Sequence, residues 1–425
     1  MMERRQPIPV QEAIQKVHQY EKHGEAEWVP LRNSLERFIA EDILADHDVP
    51  AFDRSPYDGF ALRAEDTKEA SSEHPVEFEV IDHIGAGVVS AKTIGPFQAI
   101  RIMTGAKIPN GANVVIMLEL IKTFEKDGKS YMSLKRPLKK GDNISRQGEE
   151  VLEGNVMLKK GTKVTPGVTA LLATFGYAVV PVVKKPVIGI ISTGTELLQV
   201  SDAMVDGKIR NSNLSMVYAQ ILKAGGEPLD LGGVSDEFDK SYHAVKAALS
   251  KVDFLITTGG VSVGDFDFLP AIYEKLGAQV LFNKVAMRPG SVTTVAVMPN
   301  GQLLFGLSGN PAACFVGFEL FVKPMIYKWS FKTQSLPDFA EAKLTHDFPK
   351  ANPFTRFVRA ALEFTGSQLS VTPTGLDKSS AVTSIAEANC FIVLPGGTRG
   401  FKAGDQVHVL LFQHEGEGSP CWMTH

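Results

Sequence analysis

Residues 186–329 alternate short apolar runs with helix patterns, and this alternation constrains the fold more than any other feature of the sequence. The runs at 187–191 and 253–258 have the composition of buried strands. Helices are predicted at 214–224, with Asn213 as the N-cap, and at 236–250 and 269–276. Such alternation is typical of a parallel sheet with helices on both faces. We therefore predict a doubly wound α/β domain over residues 183–330.

Two other regions carry only β signals. Short β-type runs separated by Gly, Pro, Asn and Lys turns fill residues 60–143, and PNGAN at 109–113 is the strongest turn signal. Residues 339–412 show similar runs, including VRAALEF and QVHVLLF. We predict a β-rich inserted domain over residues 51–143 and a C-terminal β-barrel domain over residues 335–414.

The remaining segments predict a discontinuous domain of helices and extended chain. Apolar residues recur at helical spacing in Val10–His18, and a second helix is predicted near 31–44. Thr165 followed by Pro166 is an N-cap signal, and Gly176 supplies the stop. If these short helices pack together, residues 1–50 and 144–182 form one domain that the β-rich insert interrupts.

Composition excludes several classes of protein. The chain has 425 residues and a net charge of −4, which argues against a non-specific nucleic-acid-binding protein. Apolar stretches fall short of the roughly 20 residues that a membrane span needs. The polar N-terminus lacks a signal-peptide pattern, and the three cysteines form no CxxC pair. We expect a cytoplasmic protein that binds neither nucleic acid nor membrane.

Two predicted strands run directly into loops that could carry chemistry, STGTEL at 192–197 and GGVSVGDFDF at 259–268. Ligands of open α/β sheets bind beyond the carboxyl ends of the strands. Glycines let backbone N–H groups approach a phosphate, and Asp265 and Asp267 could hold Mg²⁺. An ordinary glycine-rich turn with solvated acids is the alternative for the second loop.

Further candidates lie beyond these loops. Asn310 and Pro311 open a helix whose first N–H groups could face an anion, although simple capping explains them too. Lys284 and Arg288 flank a Pro-Gly turn and could hold an oxyanion, or could be solvated surface cations. Arg356 and Arg359 could equally lie on a solvent-facing strand edge. The sequence contains no Walker motif, no dinucleotide GxGxxG after a strand, no HExxH and no GxSxG.

Taken together, nine motifs resemble one family in order and spacing. They are SPYDGFAL, RIMTGAKIPNGANVVIMLE, GDNISRQGEE, STGTEL, IRNSN, TTGGVSVGDFDF, KVAMRPG, GLSGNP and ANCFIVLPGG. The chain closely resembles the molybdopterin molybdotransferases, the molybdenum-insertion enzymes whose family includes the E-domain of gephyrin. The resemblance runs from near the N-terminus to about residue 412.

The resemblance implies a four-domain subunit that forms a homodimer. It also implies the reaction, in which adenylylated molybdopterin and molybdate give molybdenum cofactor and AMP with the assistance of Mg²⁺. The adenylyltransferase that precedes this step and the apo-molybdoenzymes that follow it are further candidate partners.

The resemblance also implies roles for individual residues. Asp58 and Thr104 would face the active cleft, and their place in the dimer allows them to come from the partner subunit. Glu196, Asp236 and Asp267 would supply carboxylates for Mg²⁺ or water, although Asp236 could be only a helix N-cap. The implied substrate-binding and charge-neutralising residues are Gly259, Gly260, Ser262, Gly264, Lys284, Arg288, Gly309, Asn310, Pro311, Arg359 and Ser379. Arg146 and Glu149 match a further motif and are expected to be structural.

This sequence departs from the family pattern around the expected oxyanion site. Many members have lysine at the positions of Arg288 and Ser291, and GLPGNPVS where this chain has GLSGNPAA. Ser308 therefore replaces the usual proline, and Ala313 lacks the usual hydroxyl. Two alternative functions stay open: a molybdopterin adenylyltransferase-like nucleotide enzyme, because that α/β fold is shared, and a non-catalytic dimeric scaffold that binds the cofactor.

Overall fold

The computed structural model describes residues 6–234, 237–260, 269–332, 338–366 and 368–412. Two compact units emerge. The larger holds the described residues of Met1–Glu41, Lys160–Ala170 and Ala178–His425, and the smaller holds Asp42–Lys159 and Leu171–Tyr177. None of the described helices combines the length and apolar character needed to cross a bilayer. The division into four domains stays a prediction.

Ten strands and two α-helices occupy the first 183 residues. They are α1 (Val10–His18), β1 (Ala26–Pro30), β2 (Ile43–Leu44), β3 (Gly59–Leu62), β4 (Val76–Ile84), β5 (Gln98–Ile102), β6 (Val114–Met117), β7 (Lys122–Lys126), β8 (Lys129–Leu134), β9 (Val156–Leu158), α2 (Pro166–Thr174) and β10 (Val179–Val183). Short 3₁₀ turns lie at Leu31–Asn33, Ala64–Thr67 and Leu118–Leu120.

The rest of the described chain adds sixteen strands and six α-helices. They are β11 (Val187–Thr193), β12 (Leu197–Leu198), β13 (Ile209–Arg210), α3 (Ser212–Ala224), β14 (Glu227–Val234), α4 (Phe238–Leu249), β15 (Phe254–Thr258), α5 (Leu269–Lys275), β16 (Gln279–Phe282), β17 (Met287–Arg288), β18 (Thr294–Val297), β19 (Leu303–Leu307), α6 (Pro311–Gly317), α7 (Lys323–Trp329), β20 (Phe339–Leu344), β21 (Phe348–Asn352), β22 (Thr355–Thr365), β23 (Gln368–Pro373), α8 (Thr383–Ala386), β24 (Cys390–Leu394), β25 (Thr398–Phe401) and β26 (Gln406–Leu411). A π-helical turn, Phe318–Val322, joins α6 to α7.

The smaller unit is built on a six-stranded sheet in the order β6-β3-β5-β4-β8-β7. Its strands bury aromatic and branched residues such as Phe60, Phe78 and Ile100. The prediction of β structure between residues 60 and 143 is confirmed by these six strands.

The larger unit contains a six-stranded sheet in the order β14-β11-β15-β19-β18-β16. Residues of α3, α6 and α7 share one apolar core with its strands, and residues of α4 and α5 share another. This arrangement confirms the α/β fold with helices on both faces. The first four strands are parallel.

The sheet is nevertheless mixed, so the prediction of an all-parallel sheet is wrong at one edge. β18 runs antiparallel to both β19 and β16. Only a tight turn joins β18 to β19, closed by the Met298 N–H donating to the Gln302 carbonyl at 2.8 Å. A connection this short can form a hairpin but cannot provide the crossover that parallel strands need.

The C-terminal strands close into a barrel, as predicted. Pairing runs β22-β23-β20-β26-β24, and β24 pairs back to β22. Val358, Val371 and Val409 belong to the apolar cluster inside it. β17, from the segment between β16 and β18, adds to the outside of β22 in parallel register and so pairs Arg288 with Arg356.

Two local predictions are corrected by the structure. The second helix near 31–44 is absent, because this segment makes long-range backbone bonds instead: the Ile39 N–H donates to Thr162 and the Ala40 N–H to Pro181. α3 begins at Ser212, and its N-cap is Asn211 rather than Asn213. The helix Val10–His18 and the Thr165 cap of α2 are confirmed, the latter by a bond from the Val168 N–H to the Thr165 hydroxyl.

Candidate functional site

A cavity of about 460 Å³ opens at the carboxyl ends of β11, β15 and β19. This is the position at which open α/β sheets bind ligands. Its lining includes these sequence-predicted residues: Glu196, Gly259, Gly260, Gly309, Asn310 and Pro311. The structure thus brings together the STGTEL, TTGG and GLSGNP motifs, which are far apart in the sequence.

Gly259 and Gly260 follow β15 with positive φ angles of 87° and 65°. A Cβ on Gly259 would lie 2.7 Å from the Thr193 hydroxyl and 2.8 Å from the Thr193 carbonyl oxygen. Only glycine fits this position, where two loop backbones meet at the floor of the cavity. The result is exposed main chain that a phosphate could approach closely.

Glu196 provides the one carboxylate among the described residues that line this cavity. Its carboxylate lies directly over Gly194, since a Cβ built on Gly194 would come within 2.7 Å of Oε1. Gly194 has a φ of 138°. The TGTE sequence therefore folds its glutamate back over a glycine instead of extending it into solvent.

Two asparagines at the start of α3 form another wall. Asn211 Oδ1 accepts a bond from the Leu214 N–H, and its Nδ2 donates to the Ser192 hydroxyl at 2.8 Å. Asn213 Nδ2 donates to the Gly309 carbonyl at 2.8 Å. The Asn213 Oδ1 is buried and has no hydrogen-bond partner among the described residues. A buried acceptor of this kind favours a ligand that brings an N–H or O–H group.

The start of α6 separates this cavity from a second one. Asn310 occupies the N-cap position, but its side chain makes no capping bond, contrary to the sequence prediction. The Ala312 N–H donates to the Ser379 carbonyl at 2.9 Å, and Pro311 has no N–H. The helix thus offers fewer free donors than its sequence suggests, because a barrel loop takes one of them.

The second cavity, of about 280 Å³, lies between the α/β sheet and the barrel and is lined by cationic residues. Arg288, Arg359 and Ser379, all predicted from sequence, line it together with Arg356 and Asp377. The two cavities share three lining residues: Val292, Ser308 and Asn310. They therefore adjoin each other. Ser291 and Ala313, the two departures from the family pattern, also line the second cavity.

Asp58 and Thr104 belong to the smaller unit and contact each other there. Asp58 Oδ1 accepts bonds from the Thr104 N–H at 2.7 Å and from the Thr104 hydroxyl at 2.9 Å. These two bonds hold the pKa of Asp58 below its ordinary value, the backbone bond having the larger effect. In the same unit, the Arg146 guanidinium lies 3.5 Å from Asp53, and Glu149 accepts the Arg146 N–H.

Several predicted residues lie elsewhere or outside the described residues. Lys284 lines neither cavity; its carbonyl accepts a bond from the Ile8 N–H. Asp236, Ser262, Gly264, Asp265 and Asp267 are outside the described residues. Within the described ranges, no group of three or more His, Cys, Asp or Glu residues could hold a metal ion.

Sequence reasoning missed two residues of the site. Asp377 neutralises arginines in the second cavity, and Asn213 was interpreted only as a helix cap. The IRNSN motif that contains Asn213 was a usable signal. Asp377 sits in a polar loop that has no distinguishing pattern.

Comparison with known proteins identifies the family. Residues 8–176 match the model described as MoeA N-terminal region (domain I and II), 189–328 the probable molybdopterin binding domain, and 341–412 the MoeA C-terminal region (domain IV). The molybdopterin molybdenumtransferase of Bacillus subtilis (strain 168) is 68% identical over 422 residues, covering 99% of this chain and 98% of that protein. The chain belongs to the molybdopterin molybdenumtransferase family.

Other molybdopterin molybdenumtransferases are also similar to this chain over nearly its full length. That of Staphylococcus aureus (strain MSSA476) is 52% identical and covers 98% of each chain. The crystal structure of the molybdopterin biosynthesis moeA protein from Pyrococcus horikoshii OT3 superposes with a TM-score of 0.82 at 30% identity, covering 96% of this chain and all of that one. The resemblance inferred from the motifs is confirmed, and the chain is a transferase of molybdenum cofactor biosynthesis.

Proposed function

We propose that this transferase takes adenylylated molybdopterin and molybdate as substrates and releases molybdenum cofactor and AMP. One observation carries the proposal: a cavity suited to a phosphorylated ligand adjoins a cationic cavity suited to an oxyanion, and the two share Val292, Ser308 and Asn310. A reaction that cleaves a pyrophosphate bond and delivers an oxyanion needs its two substrates side by side.

The larger cavity has features that support binding of the nucleotide-linked pterin. The Gly259–Gly260 main chain allows close approach of phosphate oxygens. Asn213 Oδ1 lacks a donor, and adenine and pterin rings both carry N–H groups that could supply one. Asn211, fixed by Ser192 and by the Leu214 N–H, holds this wall rigid.

The proposal includes Mg²⁺, for which the described lining of the larger cavity offers one carboxylate. Mg²⁺ in phosphoryl-transfer sites is commonly held by one or two carboxylates together with substrate phosphates and water. Glu196, which lines the cavity, supplies one such carboxylate. The ion would neutralise charge on the pyrophosphate during its cleavage. Asp236 and Asp267 remain proposed further ligands.

The smaller cavity supports molybdate binding. Arg288 and Ser379 line it, and Arg359 contributes a guanidinium that is almost fully buried. Burial lowers the pKa of Arg359, while Asp377 opposes this shift, and the guanidinium stays protonated. Positive charge held in a partly desolvated cavity attracts a doubly charged oxyanion more strongly than exposed charge does.

The proposal also includes roles for Asp58, Thr104 and Lys284 in the reaction. It includes a homodimer, a cytoplasmic location, and contacts with the adenylyltransferase and with apo-molybdoenzymes. They rest on the family resemblance.

Release of AMP from adenylylated molybdopterin in the presence of molybdate and Mg²⁺ tests the proposal. We expect Glu196→Gln to lower the rate by about 100-fold or more, because the variant keeps the shape of the side chain but loses its charge. Glu274→Gln, on the exposed side of α5, is the matched control and should react at the normal rate. Normal turnover by Glu196→Gln would remove Glu196 from the proposed site.

A further inference from the structure

Two arginines in the second cavity are held side by side by backbone pairing. β17 and β22 are parallel neighbours, and their register pairs Arg288 with Arg356. Side chains at paired positions lie on the same face of a sheet, about 5 Å apart at Cβ. Like charges at this separation repel each other; Asp377 pairs with Arg356, whereas Arg288 forms no ion pair among the described residues.

Some hydrogen-bond donors of Arg356 are not used by the described residues. Its Nε donates to Asn352 Oδ1 at 2.7 Å, and its Nη1 donates to Asp377 Oδ2 at 2.9 Å. A guanidinium carries five N–H groups. The remaining three, one on Nη1 and two on Nη2, have no acceptor among the described residues, although only 8% of the residue is exposed. Because Arg356 lines the second cavity, these donors can reach a ligand that enters it.

Arg359 differs in that the protein itself uses most of its donors. Its Nε donates to the Ser384 hydroxyl at 3.2 Å and its Nη1 to Asp377 at 3.3 Å. Both N–H groups of Nη2 donate to main-chain carbonyls, those of Leu376 and Lys378. One N–H is left. Arg359 thus fastens the loop that carries Asp377 and Ser379.

Asp377 orients both guanidinium groups. Its carboxylate accepts bonds from Arg356, from Arg359 and, at 2.9 Å, from Lys350 Nζ. With Asn352 on Nε and Asp377 on Nη1, Arg356 is held at two of its three nitrogens. The third nitrogen, Nη2, is left as the part available to a ligand.

We propose that Arg356 binds the oxyanion together with Arg288, that Asp377 and Asn352 are its positioning residues, and that Arg359 acts chiefly by holding the loop of Ser379. The inference rests on the proposed function, because it takes the second cavity to be the molybdate site. It assigns the direct contact to an arginine that the family resemblance did not single out.

Isothermal titration of the full-length protein with sodium molybdate tests the assignment. We expect Arg356→Gln to weaken molybdate binding by about 10- to 100-fold, the loss typical of a charged hydrogen-bonding partner. Arg356→Lys, which keeps the buried cation but not the planar fork, should bind with intermediate affinity. Arg399→Gln removes an exposed arginine from the same barrel and should bind as the unaltered chain does.

Urea unfolding midpoints of the same variants separate binding from folding. Arg356→Lys should unfold near the normal midpoint, so that its lower affinity reports the lost contact. Molybdate binding by Arg356→Gln and Arg356→Lys equal to that of the unaltered chain overturns the assignment and leaves the proposed function in place. Absence of molybdate binding by the unaltered chain overturns both.

Discussion

Gly259 is the residue whose identity the site tolerates least. Its positive φ would strain any other residue by about 1 kcal/mol or more, and an added Cβ would collide with Thr193. We expect Gly259→Ala to lower the free energy of unfolding by about 2–4 kcal/mol and to disrupt the cavity floor. Gly277→Ala is the control, since Gly277 has a similar φ of 77° with open space around it. Equal losses in urea unfolding for the two variants would contradict the steric argument.

Asp58 shows how one neighbour sets the protonation of a residue. Because Thr104 bonds lower the pKa of Asp58 below 3.8, they stabilise the folded state above that value, and this contribution is lost as pH falls through the folded-state pKa. Thr104→Val should raise the pKa of Asp58, and Thr104→Ser should not. Carboxyl NMR titration measures this directly. An unchanged pKa in Thr104→Val would mean that the hydroxyl bond contributes nothing.

At the residue scale, the sequence predicted those site residues whose position follows from their neighbours in the chain. Gly259, Gly260 and Glu196 follow strands, so their place at the sheet edge could be predicted. Asp377 could not, because its role depends on β22 bringing Arg356 and Arg359 to the loop after β23. Lys284 was predicted from its charge near a Pro-Gly turn and from the family resemblance, but it lines neither cavity.

The element from α6 to α7 contains a buried ion pair one turn apart. Lys323 Nζ lies 2.7 Å from Glu319 Oε2 and also donates to the Phe412 carbonyl at 2.7 Å. Burial favours the neutral lysine, but Glu319 together with Tyr327 and Asp338 outweighs this effect, so the pKa of Lys323 is raised. The pair therefore ties the helix to the last strand of the barrel in its charged form.

Removing one partner should cost more than removing both. We expect Glu319→Gln to lower the free energy of unfolding by about 3–5 kcal/mol, because Lys323 stays buried without its counter-charge. The double variant Glu319→Gln/Lys323→Met should recover most of that loss. Urea unfolding of the three proteins measures both effects. A double variant less stable than Glu319→Gln would contradict the explanation.

Helices and strands were predictable where their patterns are self-contained, as in Val10–His18 and β11. The helix prediction near 31–44 was wrong because the backbone of this segment bonds to residues far away in the sequence, including Thr162 and Pro181. The sequence predicted a parallel sheet and did not reveal that β18 runs antiparallel to both of its neighbours. Strand direction depends on which partner a strand meets, and apolar runs carry no information about that.

At the scale of the molecule, the site depends on chain segments far apart in sequence. Loops after β11, β15 and β19 enclose the larger cavity, and the barrel supplies most of the charge of the smaller one. Motif order predicted this architecture because it matches a family, whereas the segments alone predicted only separate folds. The proposed reaction requires the two adjoining cavities to work as one site.

The most direct test is to follow AMP release from adenylylated molybdopterin while molybdate is titrated into the full-length protein with Mg²⁺ present. If the two cavities form one site, AMP release should rise with molybdate and saturate. Arg399→Gln should give the same curve, and Arg356→Gln should need about 10- to 100-fold more molybdate. AMP release that is complete without molybdate, or a curve that Arg356→Gln leaves unchanged, would contradict the account.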